Sequence, residues 1–284
     1  MKVTILAENN TISDLYASEH GLSLYIETQK QKILFDMGRG TLFAENAEKM
    51  GIDLSKVDIA FLSHGHYDHG GGLKTFLAMN DKAKVYIQKE VFGQYFSDRE
   101  NGEKAYIGIQ QDLASSNRLI YASSDQIISE NLRLFAKPAG DRHILSANAS
   151  LFEKKLGAYV PDEFDHEQSL LITEEETSLL IVGCAHSGIT NILENVHEKI
   201  HAYPDYVLGG FHLFNPANKR PERQELIQEI GQFLNHTGST YYTCHCTGLE
   251  PYQDLKKILF DKVTYAATGC VLQLEKEIGN ERNM

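Results

Sequence analysis

Three of the twelve histidines in this 284-residue chain crowd into six positions of the run Ser63-His64-Gly65-His66-Tyr67-Asp68-His69-Gly70-Gly71-Gly72. Neutral imidazole is the commonest metal ligand, and combined with a carboxylate it suits zinc, as one or two ions, with iron or manganese as further options. An apolar run, residues 58–62 (DIAFL), leads directly into the histidines. A turn after a buried strand aims alternate side chains at one point, so His64 and His66 are expected to share one ion. Asp68 and His69 then project toward a neighbouring position. The glycines that follow permit a tight turn and a helix start.

Other candidate ligands lie far along the chain. His186 follows an apolar run at 178–182 and begins a helix-forming stretch, the same placement as His64, and it is the favoured third ligand of the first ion. His166, in Asp165-His166-Glu167, is the alternative. His245 and His212 each follow a strand-like run; His212 is either a substrate contact or a competing ligand. The four cysteines are Cys184, Cys244, Cys246 and Cys270. Cys244 and Cys246 flank His245 at alternate positions, so both could face one side; small buried residues are the favoured reading. No C-x-x-C pair supports a separate structural zinc site, and neither a G-x-x-x-x-G-K-[ST] phosphate loop nor a G-x-S-x-G elbow is present.

These groups need strand ends to hold them. Apolar runs at 2–7, 22–27 and 32–36 open the chain, with a hairpin turn expected at 28–31. Helical spacing follows up to Gly51, then the strand at 58–62, a helix over 70–79 and a strand at 84–88. Further strands are expected at 132–136, 169–173 and 178–182. Strand–helix pairs follow at 206–208 with 221–235 and at 241–243 with 251–260, before a last strand at 271–274. Two halves, each strands first and then helices, fit a four-layer αββα sandwich of two mixed sheets, in one domain over 1–284. Between 89 and 118 the periodicity blurs, and aromatics alternate with charges and glycines. That segment reads as a lid-like insertion whose Tyr95 and Phe96 contact substrate, with a homodimer contact as the alternative.

Composition narrows the function classes. Hydrophobic residues make up 42% and charged residues 23%, an ordinary globular balance. With 27 basic against 39 acidic residues the net charge is −12, and no basic run supplies the face that nucleic acid requires. No apolar stretch is long enough to span a bilayer, and the opening residues are too short for a signal-peptide core. A cytoplasmic protein with reduced thiols is expected.

The H-x-H-x-D-H run after a strand resembles the signature of the metallo-β-lactamase superfamily, and Asp36-Met37-Gly38 resembles its earlier D-x-G turn. Four further runs resemble one branch of it: His20-Gly21-Leu22-Ser23, Gly183-Cys184-Ala185-His186-Ser187-Gly188-Ile189, Gly209-Gly210-Phe211-His212-Leu213 and Cys244-His245-Cys246-Thr247-Gly248. That branch is typified by an archaeal dihydropterin–aminobenzene phosphate synthase of methanopterin synthesis. The resemblance implies that Asp36 supports the metal loop from behind its ligands and that His245 is the last metal histidine. It also exposes a departure. Two-metal members usually bridge their ions with an aspartate after a strand, and the nearest match here is Gly183-Cys184. Cys184 is therefore either a thiolate ligand or a small buried residue.

The implied chemistry is metal-assisted attack on a small anionic, phosphorylated substrate. Asp68 would orient the nucleophile or accept its proton, while His20 or His212 donates to the leaving group or holds a phosphate. In a synthase version, a ring carbon replaces water and a diphosphate leaves a dihydropterin, which makes the enzyme a transferase. The alternatives are a mononuclear non-haem iron dioxygenase on the same fold and a metal-dependent binding protein without catalysis.

Overall fold

The computed structural model describes residues 1–99, 101–140 and 142–275. Its first sheet starts with three antiparallel strands, Lys2–Ala7, Ser23–Glu27 and Lys32–Phe35. The hairpin between the last two closes where the N–H of Thr28 donates to the carbonyl of Gln31 at 3.0 Å. Parallel strands Ile59–Phe61, Lys84–Gln88 and Leu119–Ala122 extend the sheet on one side, and Val271–Gln273 borders the other. The second sheet repeats the plan. Gln126–Ser129, Leu132–Ala136, Gln168–Glu174 and Thr177–Ile181 are antiparallel, and Tyr206–Gly209, Thr240–Thr243 and Val263–Tyr265 add in parallel.

The two sheets face each other across an apolar layer. Val3, Ile5, Leu24, Ile33, Phe35 and Phe61 of the first meet Leu134, Leu170, Ile172, Leu179 and Ile181 of the second. The opposite side of the first sheet, including Leu34, Ala60, Leu62 and Val85, lies under helices Leu42–Lys49 and Leu73–Met79. Leu180, Val182, Val207 and Tyr241 of the second sheet lie under helices Ile189–Ile200, Gln224–Thr237 and Leu249–Leu259. Burial on both faces explains why these strands read as continuous apolar runs rather than alternating ones. The result is the expected helix–sheet–sheet–helix sandwich. No helix among the described residues is long and apolar enough to cross a membrane.

One expectation is corrected. The helix over 70–79 is split into Tyr67–Gly70 and Leu73–Met79. A Cβ on Gly72 would stand 2.1 Å from the carbonyl oxygen of Met37, so only glycine lets the Asp36 turn approach the break so closely. The segment 89–118, read as a lid-like insertion, contains regular strands. Tyr95–Asp98 and Lys104–Tyr106 form a four-stranded antiparallel sheet with Leu151–Lys155 and Ala158–Pro161. Strands of three to five residues, in two hairpins that pair with each other across more than fifty positions, leave little periodic signal.

Candidate metal centre

Five strands of the two sheets end on one side of the sandwich, and each delivers a functional loop. Phe35 leads to Asp36, Phe61 to His64, Ile181 to Cys184 and His186, Gly209 to His212, and Thr243 to His245. Asp36, Ala185, His212 and His245 all adopt left-handed backbone, with φ of 58°, 54°, 49° and 51°. Non-glycine residues rarely take this conformation, and it concentrates where a site over-determines the local backbone. Here it turns each loop sharply at the strand end. Gly183 plays a complementary part: a Cβ there would meet the Ser63 hydroxyl at 2.2 Å, so glycine lets the Cys184 loop lie against the histidine loop.

His64, His66 and His186 converge with their ligating atoms within 4.8 Å of one another. All three are buried, and their Nε2 atoms have no hydrogen-bond partner. A buried unpartnered nitrogen costs roughly 1–3 kcal/mol, so three aimed at one point need a ligand to justify them. The rear nitrogens are occupied: His64 Nδ1 lies 2.8 Å from Ser63 Oγ, and His186 Nδ1 lies 3.2 Å from Asn148 Oδ1. Burial, reinforced by the surrounding imidazoles, holds His64 and His186 well below the ordinary histidine range. They are neutral, the form that binds a cation.

A second group adjoins the first. His69 Nε2 stands 3.2 Å from His245 Nε2 and 3.1 Å from Cys184 Sγ, while Asp68 Oδ2 lies 3.4 Å from His245 Nε2. Burial opposes ionisation of Asp68, but His69, His20 and His245 around it keep the carboxyl well below the usual carboxylate range. His20 sits at the rim, one-third exposed, with Nε2 3.1 Å from Asp68 Oδ2. The donor chemistry of both groups fits a divalent cation: neutral imidazoles at the first, imidazoles with a carboxylate at the second.

Other residues hold these ligands in place. Asp36 accepts the Ser63 N–H and hydroxyl, both at 2.7 Å, and its Oδ2 lies 2.6 Å from His69 Nδ1, leaving Nε2 free to face the site. Glu167 accepts the His186 N–H at 2.6 Å and the Ser187 N–H at 2.9 Å. Glu8 accepts the His245 N–H at 3.1 Å, and Asn9 Oδ1 lies 2.8 Å from His245 Nδ1. His166 is not available as a ligand, because Nδ1 accepts the Gly65 N–H at 2.9 Å and Nε2 faces Asp162 Oδ2 at 3.1 Å. Glu8, Asn9, Asn148, Asp162 and Glu167 escaped the sequence reading. Each is an ordinary polar residue outside the histidine runs, and adjacency to His166 was the only signal for Glu167.

The cleft over both groups is lined by His20, Tyr67, Asp68, Ser97, Arg99, Ser150, His186, His212, Asn215 and His245, among others. Arg99 is the only lysine or arginine among its described lining residues. Both ring nitrogens of His212 are buried without a partner, and its ring lies 4.2 Å from that of His186. Tyr95 and Phe96, expected at the substrate, do not line this cleft. The Tyr95 ring is buried 4.0 Å from His166, and its hydroxyl donates to the Glu90 carbonyl at 2.6 Å. Phe96 packs edge-on against Tyr106 and Tyr159. Strand alternation sends Ser97, the next residue, into the cleft instead. Cys244 and Cys246 also part company: Cys244 is buried in the layer between the sheets, and Cys246 lines the cleft.

An αββα sandwich with histidine–carboxylate clusters at its strand ends defines a class of metal-dependent enzyme folds, most of whose members are hydrolases. The chain belongs to the metallo-β-lactamase superfamily, whose family model matches residues 19–232. It is 27% identical over 288 residues to an uncharacterised protein of Methanocaldococcus jannaschii, covering 95% of this chain and 99% of that one. It is 25% identical over 272 residues to the 7,8-dihydropterin-6-methyl-4-(β-D-ribofuranosyl)-aminobenzene-5′-phosphate synthase of the same organism, covering 88% of each, which supports the branch resemblance. Among solved structures, a metal-dependent hydrolase of the β-lactamase superfamily superimposes with a TM-score of 0.82 at 28% identity, covering 97% of this chain and all of that one.

Proposed function

We propose that this chain is a metal-dependent hydrolase of a small phosphorylated substrate, using zinc at the two adjoining groups. One observation carries the reading: the unpartnered Nε2 atoms of His64, His66 and His186 converge beside the second group, and His66, His186, Asp68 and His245 line one cleft with Arg99 on its wall. Divalent cations held there supply Lewis acidity toward the scissile group and make water acidic enough to attack near neutral pH.

The chain's own residues do the rest. Asp68, kept ionised by its imidazole neighbours, accepts a proton from the attacking water. Burial lowers the His20 pKa, but the hydrogen bond and charge of Asp68 outweigh it and raise it overall. At the cleft rim His20 is thus a proton donor for the leaving oxygen. Arg99 pairs with the substrate's anionic group, and the unpartnered nitrogens of His212 offer it a second contact.

Transfer to a nucleophile other than water is the second reading, supported by the synthase relative. Zinc-loaded protein assayed against phosphodiesters, phosphomonoesters, lactones and pterin diphosphates separates the two. Phosphate or alcohol release with water alone supports the hydrolase. Diphosphate release that requires an added aminobenzene acceptor supports the transferase. Oxygen uptake by an iron-loaded form, with no turnover of any phosphorylated compound, would reject both.

A further inference from the structure

We propose that Cys184 and Cys246 are a redox-sensitive thiol pair, which hydrogen peroxide joins in a disulfide that excludes metal from the second group. The exclusion rests on the metal-dependent reading above; the disulfide does not.

Packing of two loops brings these thiols together across sixty-two positions. Gly210, just after the strand Tyr206–Gly209, donates its N–H to the Gly183 carbonyl at 2.9 Å. A Cβ on Gly210 would stand 2.4 Å from Cys246 Sγ, so glycine leaves the room in which that sulfur lies against the Cys184 loop. Cys246 Sγ is 3.5 Å from the Cys184 carbonyl oxygen, and the two sulfurs lie within 4.8 Å of one another. A disulfide bond is about 2.05 Å long, and the gap that remains is of the size a change of rotamer spans.

Access separates this pair from the other cysteines. Cys184 and Cys246 both line the cleft. Cys244 is enclosed in the layer between the sheets, and Cys270 packs against that same layer. A peroxide entering the cleft therefore meets these two thiols and neither of the others. At one sulfur an S–O bond forms as the O–O bond breaks, giving a sulfenic acid and one water. The second sulfur then displaces that oxygen as another water, which closes the S–S bond. The pair is oxidised by two electrons, and the peroxide is reduced to two waters.

Both sulfurs border the second group. Cys184 Sγ is 3.1 Å from His69 Nε2, and Cys246 Sγ lies within 4.8 Å of a His245 ring nitrogen. Their loops also carry His186 and His245, one from each group. Closing the bond moves at least one sulfur and leaves an uncharged sulfur pair beside nitrogens that face the site. The second group then loses its room for a cation, and a cation already in place obstructs the bond. Oxidation and full metal loading thus exclude one another.

Reduced, metal-free full-length protein is treated with hydrogen peroxide, alkylated after unfolding, digested without reductant and mapped by mass spectrometry. The expected result is a chain lighter by two hydrogens, with a cross-linked peptide pair containing Cys184 and Cys246, reversed by dithiothreitol. Cys184→Ser and Cys246→Ser should abolish the cross-link, and Cys244→Ser should keep it. Equilibrium dialysis against zinc then compares the two forms. Oxidised protein should hold about one ion fewer per chain than reduced protein, and dithiothreitol should restore it. A cross-link through Cys244 or Cys270, thiols that only gain oxygen, or thiols untouched by excess peroxide would each overturn the pair. Equal zinc uptake by the two forms would overturn the exclusion. Reduced protein that takes up no zinc would remove the metal-dependent reading and the exclusion with it, while the peptide map still decides the disulfide. Circular dichroism of each form separates loss of metal from loss of the fold.

Discussion

The Asp36 carboxylate lies 2.6 Å from Nδ1 of His69, thirty-three residues away, while also accepting both hydrogen bonds that Ser63 offers. One side chain therefore sets the tautomer of a candidate ligand and anchors the start of the histidine loop. Asp36→Asn keeps the shape but replaces one acceptor oxygen with a donor. Metal affinity should fall roughly 10- to 100-fold with the fold intact. Competition with a chromophoric chelator measures this, and unchanged affinity would reduce Asp36 to a turn residue.

His64 and His66 should act together. Either His64→Ala or His66→Ala is expected to empty the first position and abolish turnover, because each removes one of three ligands aimed at the same point. The core should remain folded, since both side chains face the cleft loops rather than the apolar layers. Elemental analysis together with circular dichroism checks both parts. A variant with wild-type metal content and turnover would refute the ligand assignment.

Acid and base should affect the metal-free chain differently. Burial and neighbouring imidazoles hold His64 and His186 well below the ordinary histidine value of 6.5, so the unfolded chain takes up their protons first. Their contribution to stability is lost as pH falls below about 6.5. His69 has the opposite sign. Burial opposes its protonation, but Asp36 and Asp68 push its pKa up to about 8, so its contribution is complete below 6.5 and disappears as pH rises through 8. His66 and His245 are lowered as well and His20 is raised with His69, so four histidines of the centre against two should make the acid side steeper. Urea midpoints of chelator-treated protein across this range test the prediction; a midpoint that does not move below pH 6.5 contradicts it.

Tyr95 opens the strand Tyr95–Asp98 and Arg99 follows its end, but the two should behave differently. Arg99→Gln removes the one described cation of the cleft wall and should raise KM for a phosphorylated substrate by about 10- to 100-fold, the worth of a charge-assisted hydrogen bond, with little change in melting temperature. Tyr95→Ala leaves a void beneath the histidine loop and should cost about 3–5 kcal/mol of stability. Steady-state kinetics and thermal unfolding of both variants decide the matter. A stable Tyr95→Ala with altered KM would return that ring to the substrate.

The sequence by itself determined the ingredients of the centre. A dense His-x-His-x-Asp-His run after an apolar strand is a local pattern, and the spacing of the apolar runs is enough to specify layered sheets with helices outside. His186 and His245 were legible for the same reason, because each follows a strand-like run. The tertiary structure decided which remote side chains support that run. Glu8 reaches His245 across 237 positions, and Glu167 reaches the backbone of His186 across nineteen. Neither has local spacing to mark it. The structure also decided direction. Cys244 and Cys246 occupy alternate positions that a straight strand would send to one side, but left-handed backbone at His245 sends one into the apolar layer and the other to the cleft. Phe96 and Ser97 are sent to opposite faces of a strand whose pairing partner lies more than fifty residues away, so Ser97 and not Phe96 reaches the cleft. Local pattern specifies which chemistry a segment carries; its orientation depends on backbone turns and strand partners that long-range packing selects.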